Sequence, residues 1–193
     1  MSNEKKQPIL LDRRSFLGNT GKIVLSGTAI ALMSGMSSAG AMSTDSSDSQ
    51  EQDVRILNTA IGAEHEAVAA YQLGAESGLL SKGVLNVALQ FQGHHKEHIE
   101  LLASTVGKLG GTAIDAKSYY DFPVHKLKRE KDVLTFAAGL ERGAISAYAG
   151  AIPLFDNSDL AKAAASILAD EAMHWAILRQ ALGLDPVPGA FFS

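Results

Sequence analysis

Residues 160–183 read LAKAAASILADEAMHWAILRQALG, a run built mostly of Ala, Ile and Leu that carries Glu171 and His174 in its middle. Ala164, Ile167, Leu178 and Ala181 recur with Glu171 and His174 at three- and four-residue intervals, the spacing that puts side chains on one face of a helix. A carboxylate or an imidazolium buried on such a face is costly unless it has a partner. The run therefore predicts complementary groups opposite it.

The same spacing occurs three more times. Leu57, Ile61, Glu64, Val68 and Tyr71 mark the seam of a helix expected over residues 52–78. Ala88, Phe91, His95, His98 and Leu102 mark one over 82–109. Leu134, Ala138, Glu141, Ile145 and Tyr148 mark one over 131–152, with Pro153 as its stop, and the opening run gives a fourth over 160–182. The first and last connections are short, whereas GGTAIDAKSYYDFPVH (110–125) makes the middle one long. These features predict an all-α fold, a four-helix bundle of two helical hairpins joined by a long crossover.

The chain also repeats itself. EHEAVAAY (64–71) aligns with ERGAISAY (141–148), placing a Glu and a Tyr seven residues apart in each. Glu64 and His98 are separated by 34 positions, Glu141 and His174 by 33. Gly107 and Gly183 each follow their His by nine residues and are expected to end their helices. Antiparallel pairing then brings Glu64, His95, His98, Glu141, Glu171 and His174 to one level of the bundle. An i, i+3 pair projects from one helix face about one turn apart, so such pairs can offer donor atoms to neighbouring metal ions.

On these residues the sequence resembles the ferritin-like superfamily, and more closely its exported bacterial members that include desiccation-related proteins. The resemblance covers residues 53–183 and implies two divalent ions, iron or manganese, held by a Glu from each of two helices and a Glu-x-x-His from each of the others. By position, Glu64 and Glu141 match the single carboxylates, Glu171 and His174 one Glu-x-x-His, and His98 the His of the other. His95 stands where that pair has its bridging Glu, so the two ion sites are expected to be unequal.

Other polar residues have plainer readings. Glu97 falls on the solvent face with Glu100 and Ser104, and His65, Glu66 and Glu76 are expected in solvent. His94 reads as a flank of the seam or a support for a ligand. Tyr71 and Tyr148 read as core aromatics that, in this resemblance, lie near the metals and can hydrogen-bond to a ligand. His125 falls in the crossover with no chemical role expected.

The 193 residues contain no Cys, so disulfides, thiolate metal sites and Cys nucleophiles are excluded. Five of the 17 Lys/Arg and two of the 21 Asp/Glu precede Met42, leaving the remainder at a net −7, which argues against a nucleic-acid partner. Residues 1–41 have the three parts of an export signal: Arg13-Arg14 followed by SFL, an apolar run from Ile23 to Met36, and Ala39 and Ala41 in A-x-A spacing. The paired arginines resemble the twin-arginine signal, with Gly18 where a Lys is common. The apolar run is shorter than the roughly 20 residues of a membrane span. Cleavage near Ala41 and a periplasmic or otherwise exported, non-embedded mature protein are expected. Residues 42–52 read as a disordered linker, 53–185 as the bundle and 186–193 as a tail.

The resulting expectation is an exported di-metal protein acting on oxygen, peroxide or the metal itself, in the manner of a ferroxidase, peroxidase or catalase. A non-enzymatic stress-related or interaction bundle without stoichiometric metal is the alternative. Expected partners are a small oxidant or metal ion and the twin-arginine export machinery, with self-association left open.

Overall fold

The computed structural model describes residues 46–192. The expected signal (1–41) lies outside the described residues. Four long helices make up the bundle: α1 (Ser46–Glu76), α2 (Lys82–Lys108), α3 (Glu130–Ala151) and α4 (Ser158–Ala181). Single 3-10 turns at Val124–Lys126 and Ile152–Leu154 accompany the crossover and the α3–α4 turn. Pro153 sits in the second of these, where its missing N–H and fixed φ end α3 two residues earlier. Among the described residues, no helix is long and apolar enough to cross a membrane.

The crossover runs the length of the bundle. At its start the Asn58 side chain donates to the Thr112 carbonyl and accepts from the Ile114 amide, both at 3.0 Å, which ties it to the first half of α1. At its end Glu130, the first residue of α3, accepts the backbone N–H of Ser81, the N-cap of α2. The starts of α2 and α3 thus lie together, and the two hairpins are related by an approximate twofold axis perpendicular to the helices. The repeat predicts this symmetry, and it extends to the ends of the molecule. Asp53 of α1 accepts the amides of Asp156 (3.1 Å) and Asn157 (3.3 Å), and Asn157 is the N-cap of α4. Each hairpin turn is therefore held by a carboxylate from the first helix of the other hairpin.

Two expectations are corrected. Residues 46–52, read as part of a disordered linker, form the first turns of α1. Their polar side chains close helix ends that would otherwise be unpaired: Gln50 donates to the Leu109 carbonyl at 2.8 Å and Gln52 to that of Leu154 at 2.9 Å. Gly107 does not end α2 but lies within it; the terminating residue is Gly110, with φ +74°, matched by Gly183 at φ +72°. Both ends make the same pair of bonds, Gly110 N to Gly107 O with Gly111 N to Val106 O, and Gly183 N to Gln180 O with Leu184 N to Arg179 O. Glycine adopts this left-handed conformation without a Cβ penalty. The tail also packs back, the Phe192 ring lying 5.4 Å from that of Trp175.

The core has two apolar regions. Leu57, Ile61, Leu102, Val106, Leu160 and Ile167 fill one end, and Ala88, Phe91, Leu134, Ala138 and Leu178 fill the other. Five buried polar residues fall between them: Glu64 on α1, His95 on α2, Glu141 on α3, and Glu171 with His174 on α4; Gln92 is buried just before His95, and Asp53 near the start of α1. The apolar ends supply the driving force for folding and hold a polar layer at the waist.

Candidate metal centre

That layer is almost sealed from solvent. Glu64, His95, Glu141, Glu171 and His174 are each at most 2% exposed, and His98 retains 12% of its side-chain surface. All six residues singled out from the sequence come together. Their ligand atoms form two overlapping sets, Glu64, His95, His98 and Glu171 in one and His95, Glu141, Glu171 and His174 in the other, each within 4.8 Å of one another.

Glu64 is fixed by two donors, Tyr148 Oη to Oε1 at 2.5 Å and His95 Nδ1 to Oε2 at 2.7 Å. Glu141 Oε1 accepts from Tyr71 Oη. Each tyrosine thus reaches across to the carboxylate of the other hairpin. Burial raises both phenol pKa values well above the ordinary range, and the adjacent carboxylate charge adds to this. Both stay protonated and can serve only as donors to the carboxylates.

Around these anchored groups stand five buried atoms with no hydrogen-bond partner: His95 Nε2, His98 Nδ1, His174 Nδ1 and both oxygens of Glu171. Unsatisfied buried polar atoms are rare because each costs its full desolvation. Here they converge. His98 Nδ1 is 3.4 Å from Glu64 Oε2 and 3.3 Å from Glu171 Oε1; His174 Nδ1 is 3.5 Å from Glu141 Oε1 and 3.9 Å from Glu171 Oε2. His95 Nε2 faces Glu141 Oε1 at 3.5 Å. Unpaired imidazole nitrogens and carboxylate oxygens at such separations suit a divalent metal, so the donor set fits the group that the fold implies.

Without metal the layer is balanced by protons. Burial would lower the His95 pKa, but the Glu141 and Glu64 carboxylates against it raise it to about 10. Burial raises Glu171 strongly, and the neighbouring charge of Glu141 raises it further, so it keeps its proton. Burial would also raise Glu64 and Glu141, yet the former is held low by His95 and His98, and the latter by Glu171, His174 and His95. Burial would lower His98, but the Glu64 carboxylate together with the charges of Asp170 and Glu141 raises it.

Glu97 points to solvent and His125 is exposed, as their positions predict, but His65 and Glu66 are half-buried rather than solvated. One residue escaped the sequence reading. Asp170, on the outer side of the layer, places Oδ2 3.2 Å from His94 Nδ1, 3.3 Å from His98 Nε2 and 3.2 Å from His174 Nε2. The signal for it was the repeat: the offset of 76 that pairs His95 with Glu171 and His98 with His174 also pairs His94 with Asp170.

The bundle is a ferritin-like four-helix fold whose buried His/Glu layer could hold metal. The chain belongs to the ferritin-like domain family, whose match covers residues 52–184. Among solved structures it is similar to a conserved hypothetical protein, rv2844, from Mycobacterium tuberculosis, with TM-score 0.64 and 21% identity over 74% of this chain and 99% of that one. It is also similar to a ferritin-like, diiron-carboxylate protein from Bacillus anthracis str. Ames, with TM-score 0.60 and 18% identity over 69% of this chain and 97% of that one. No curated protein matches it.

Proposed function

We propose that the protein binds two divalent ions, iron or manganese, at the waist of the bundle. Glu64, His98 and Glu171 would hold one, and Glu141, Glu171 and His174 the other, with Glu171 offering an oxygen to each. His95 belongs to both donor sets, but a neutral imidazole has a single lone pair, so it can serve only one ion. The observation that carries this reading is the convergence of three unpartnered imidazole nitrogens and both unpartnered oxygens of Glu171 beside the buried Glu64 and Glu141 carboxylates. The diiron-carboxylate description of the Bacillus anthracis neighbour supports it at the level of the fold.

Bound redox ions would supply electron transfer to oxygen or peroxide, or would themselves be the substrate oxidised. The chain's own residues set the conditions for that chemistry. Tyr71 and Tyr148 hold one oxygen each of Glu141 and Glu64; the other oxygen of Glu141 is left for coordination, whereas that of Glu64 also meets His95 Nδ1. The apolar ends keep bulk water from the layer, which strengthens its electrostatics. His95 and Glu171 carry protons that ion binding must displace.

We also propose that residues 1–41 direct twin-arginine export with cleavage near Ala41, giving a periplasmic protein. Arg13-Arg14, the short apolar run and the A-x-A spacing support this. Normal export of an Arg13→Lys, Arg14→Lys variant would remove the claim. Metal analysis of protein purified from its native export route tests the centre. About two ions per chain are expected; none bound with iron, manganese or zinc supplied would favour the non-enzymatic bundle.

A further inference from the structure

The His94 and Asp170 pair lies outside the centre just described, and its geometry has a direction. The twofold relation pairs His94 with Asp170, His95 with Glu171 and His98 with His174. Two of these pairs meet directly, His94 Nδ1 with Asp170 Oδ2 at 3.2 Å and His95 Nδ1 with Glu171 Oε1 at 3.5 Å. The outer and inner groups therefore lie along one line, and exposure falls along it. His94 is 32% exposed, Asp170 23% and His98 12%, whereas His95 and Glu171 are at most 1%. The outer end opens into a groove between α2 and α4 lined by His98, Leu101, Lys162, Ser166, Asp170 and Met173. On the α1–α3 side, buried Tyr71 and Tyr148 close the layer.

Resting on the di-metal reading, we propose that His94, Asp170 and the outer nitrogen of His174 form an entry site. A divalent cation arriving from the α2–α4 groove binds there before it passes to the inner centre. These three residues form a donor set with atoms within 4.8 Å of one another. His94 Nδ1 and His174 Nε2 each stand 3.2 Å from Asp170 Oδ2. Donors around an ion with bonds of about 2.0–2.1 Å in tetrahedral geometry are separated by roughly this distance. Without an ion, the two imidazole nitrogens share a proton at 2.8 Å; the arriving ion shifts it to the other nitrogen of the ring that carries it, so both rings stay neutral.

His174 makes the transfer possible because its ring spans both groups. Nε2 faces Asp170, while Nδ1 is unpartnered and faces Glu141. A neutral imidazole offers one lone pair. Holding an ion in the outer group requires the ring proton on Nδ1; holding one in the inner group requires it on Nε2, where Asp170 can accept it. Movement of that proton from Nδ1 to Nε2 hands coordination inward, with no net change in protons or electrons.

An entry site and a mere support for His174 differ in kinetics. An entry site changes uptake and release by the same factor, so the dissociation constant is unaffected, whereas loss of a support weakens binding. Cobalt(II) uptake by the metal-free full chain would be followed by its absorption in stopped flow, and release by mixing the loaded chain with excess chelator. For His94→Ala we expect uptake and release to slow by the same factor, about tenfold, with two ions bound at the end point. Asp170→Asn should slow uptake as well. Unchanged or faster uptake in His94→Ala, or faster release with unchanged uptake, overturns the entry site while leaving the inner centre intact. Wild-type protein that binds no cobalt(II), iron(II) or manganese(II) overturns the di-metal reading itself. Equal melting temperatures of the metal-free wild type and His94→Ala would show that the fold is intact.

Discussion

Helices α2 and α4 occupy matching places in the two hairpins, yet α2 presents His94, His95 and His98 where α4 presents Asp170, Glu171 and His174. Helices α1 and α3 show no such divergence at the same level: Glu64 and Tyr71 match Glu141 and Tyr148 in type, and their hydrogen bonds are exchanged across the axis. The framework of the site is thus symmetric and its donors are not. On α4 a carboxylate with two oxygens belongs to both donor sets; on α2 an imidazole with one lone pair takes the matching place and carries a positive charge among the carboxylates.

The largest effect should come from removing the shared carboxylate. Binding to the native state stabilises by about 4 kcal/mol when free metal is a thousandfold above its dissociation constant. A domain of this size gains roughly 2–4 °C in melting temperature per kcal/mol. Glu171→Ala should abolish most of that metal-induced shift, as differential scanning calorimetry with and without metal would reveal. His95→Ala should keep much more of it. Equal losses in the two variants would erase the distinction between α2 and α4.

The tyrosines test the symmetric half. Tyr71→Phe and Tyr148→Phe each leave a buried carboxylate oxygen short of a donor, at a cost of about 1–3 kcal/mol. Chemical denaturation should give similar losses for the two. A large inequality would mean that the framework is as lopsided as the donors.

Proton linkage sharpens the contrast at position 95. The His95 pKa rises from 6.5 to about 10, so its stabilising charge is fully present below pH 6.5 and is lost as pH climbs through about 10. Ion binding at neutral pH must displace this proton and the one on Glu171, so affinity should rise by about tenfold per pH unit for each proton released. Calorimetric titrations in buffers of different ionisation enthalpy would count them. His95→Glu replaces the cation by a fourth carboxylate. The metal-free variant should melt lower than wild type, and the second ion should bind about tenfold more tightly, near 1.4 kcal/mol. Wild-type affinities in both His95→Glu and His95→Ala would remove His95 from the donor set.

The smallest effects belong to the hairpin ends. Asp53 is 3% exposed, and its pKa is raised because burial outweighs its two amide bonds. Asp53→Ala should cost about 1 kcal/mol, the scale of a lost cap, visible as a small drop in melting temperature. Glu130→Ala should cost less, because its carboxylate lies in solvent. A reversed order would show that the symmetry of these contacts hides different packing around them.

The sequence makes the helices and their common polar level legible because apolar spacing encodes which face is buried, and because the repeat fixes the depth of each polar residue. Residues whose partners are remote and whose own surroundings are polar stay hidden. Gln50, Gln52 and Asp53 lie in a stretch with no apolar period, and their bonds to distant helix ends tie it to the bundle. Gly107 and Gly110 are equally plausible terminators by composition; the left-handed turn falls at Gly110, where the Gly110 and Gly111 amides close the Gly107 and Val106 carbonyls in the last turn of α2. Asp170 lies one residue outside the buried seam, and periodicity alone gives it to solvent.

The crossover between Asn58 and Ser81 does more than connect the halves. In a site formed by two separate copies of one hairpin, every substitution would occur twice, and a change of Glu to His at the position of Glu171 would remove both carboxylates at that level together. Covalent joining gives each half its own coding positions. One helix can then specialise toward capturing and neutralising charge while its counterpart retains the carboxylates, a division of labour that an assembly of identical halves could not adopt.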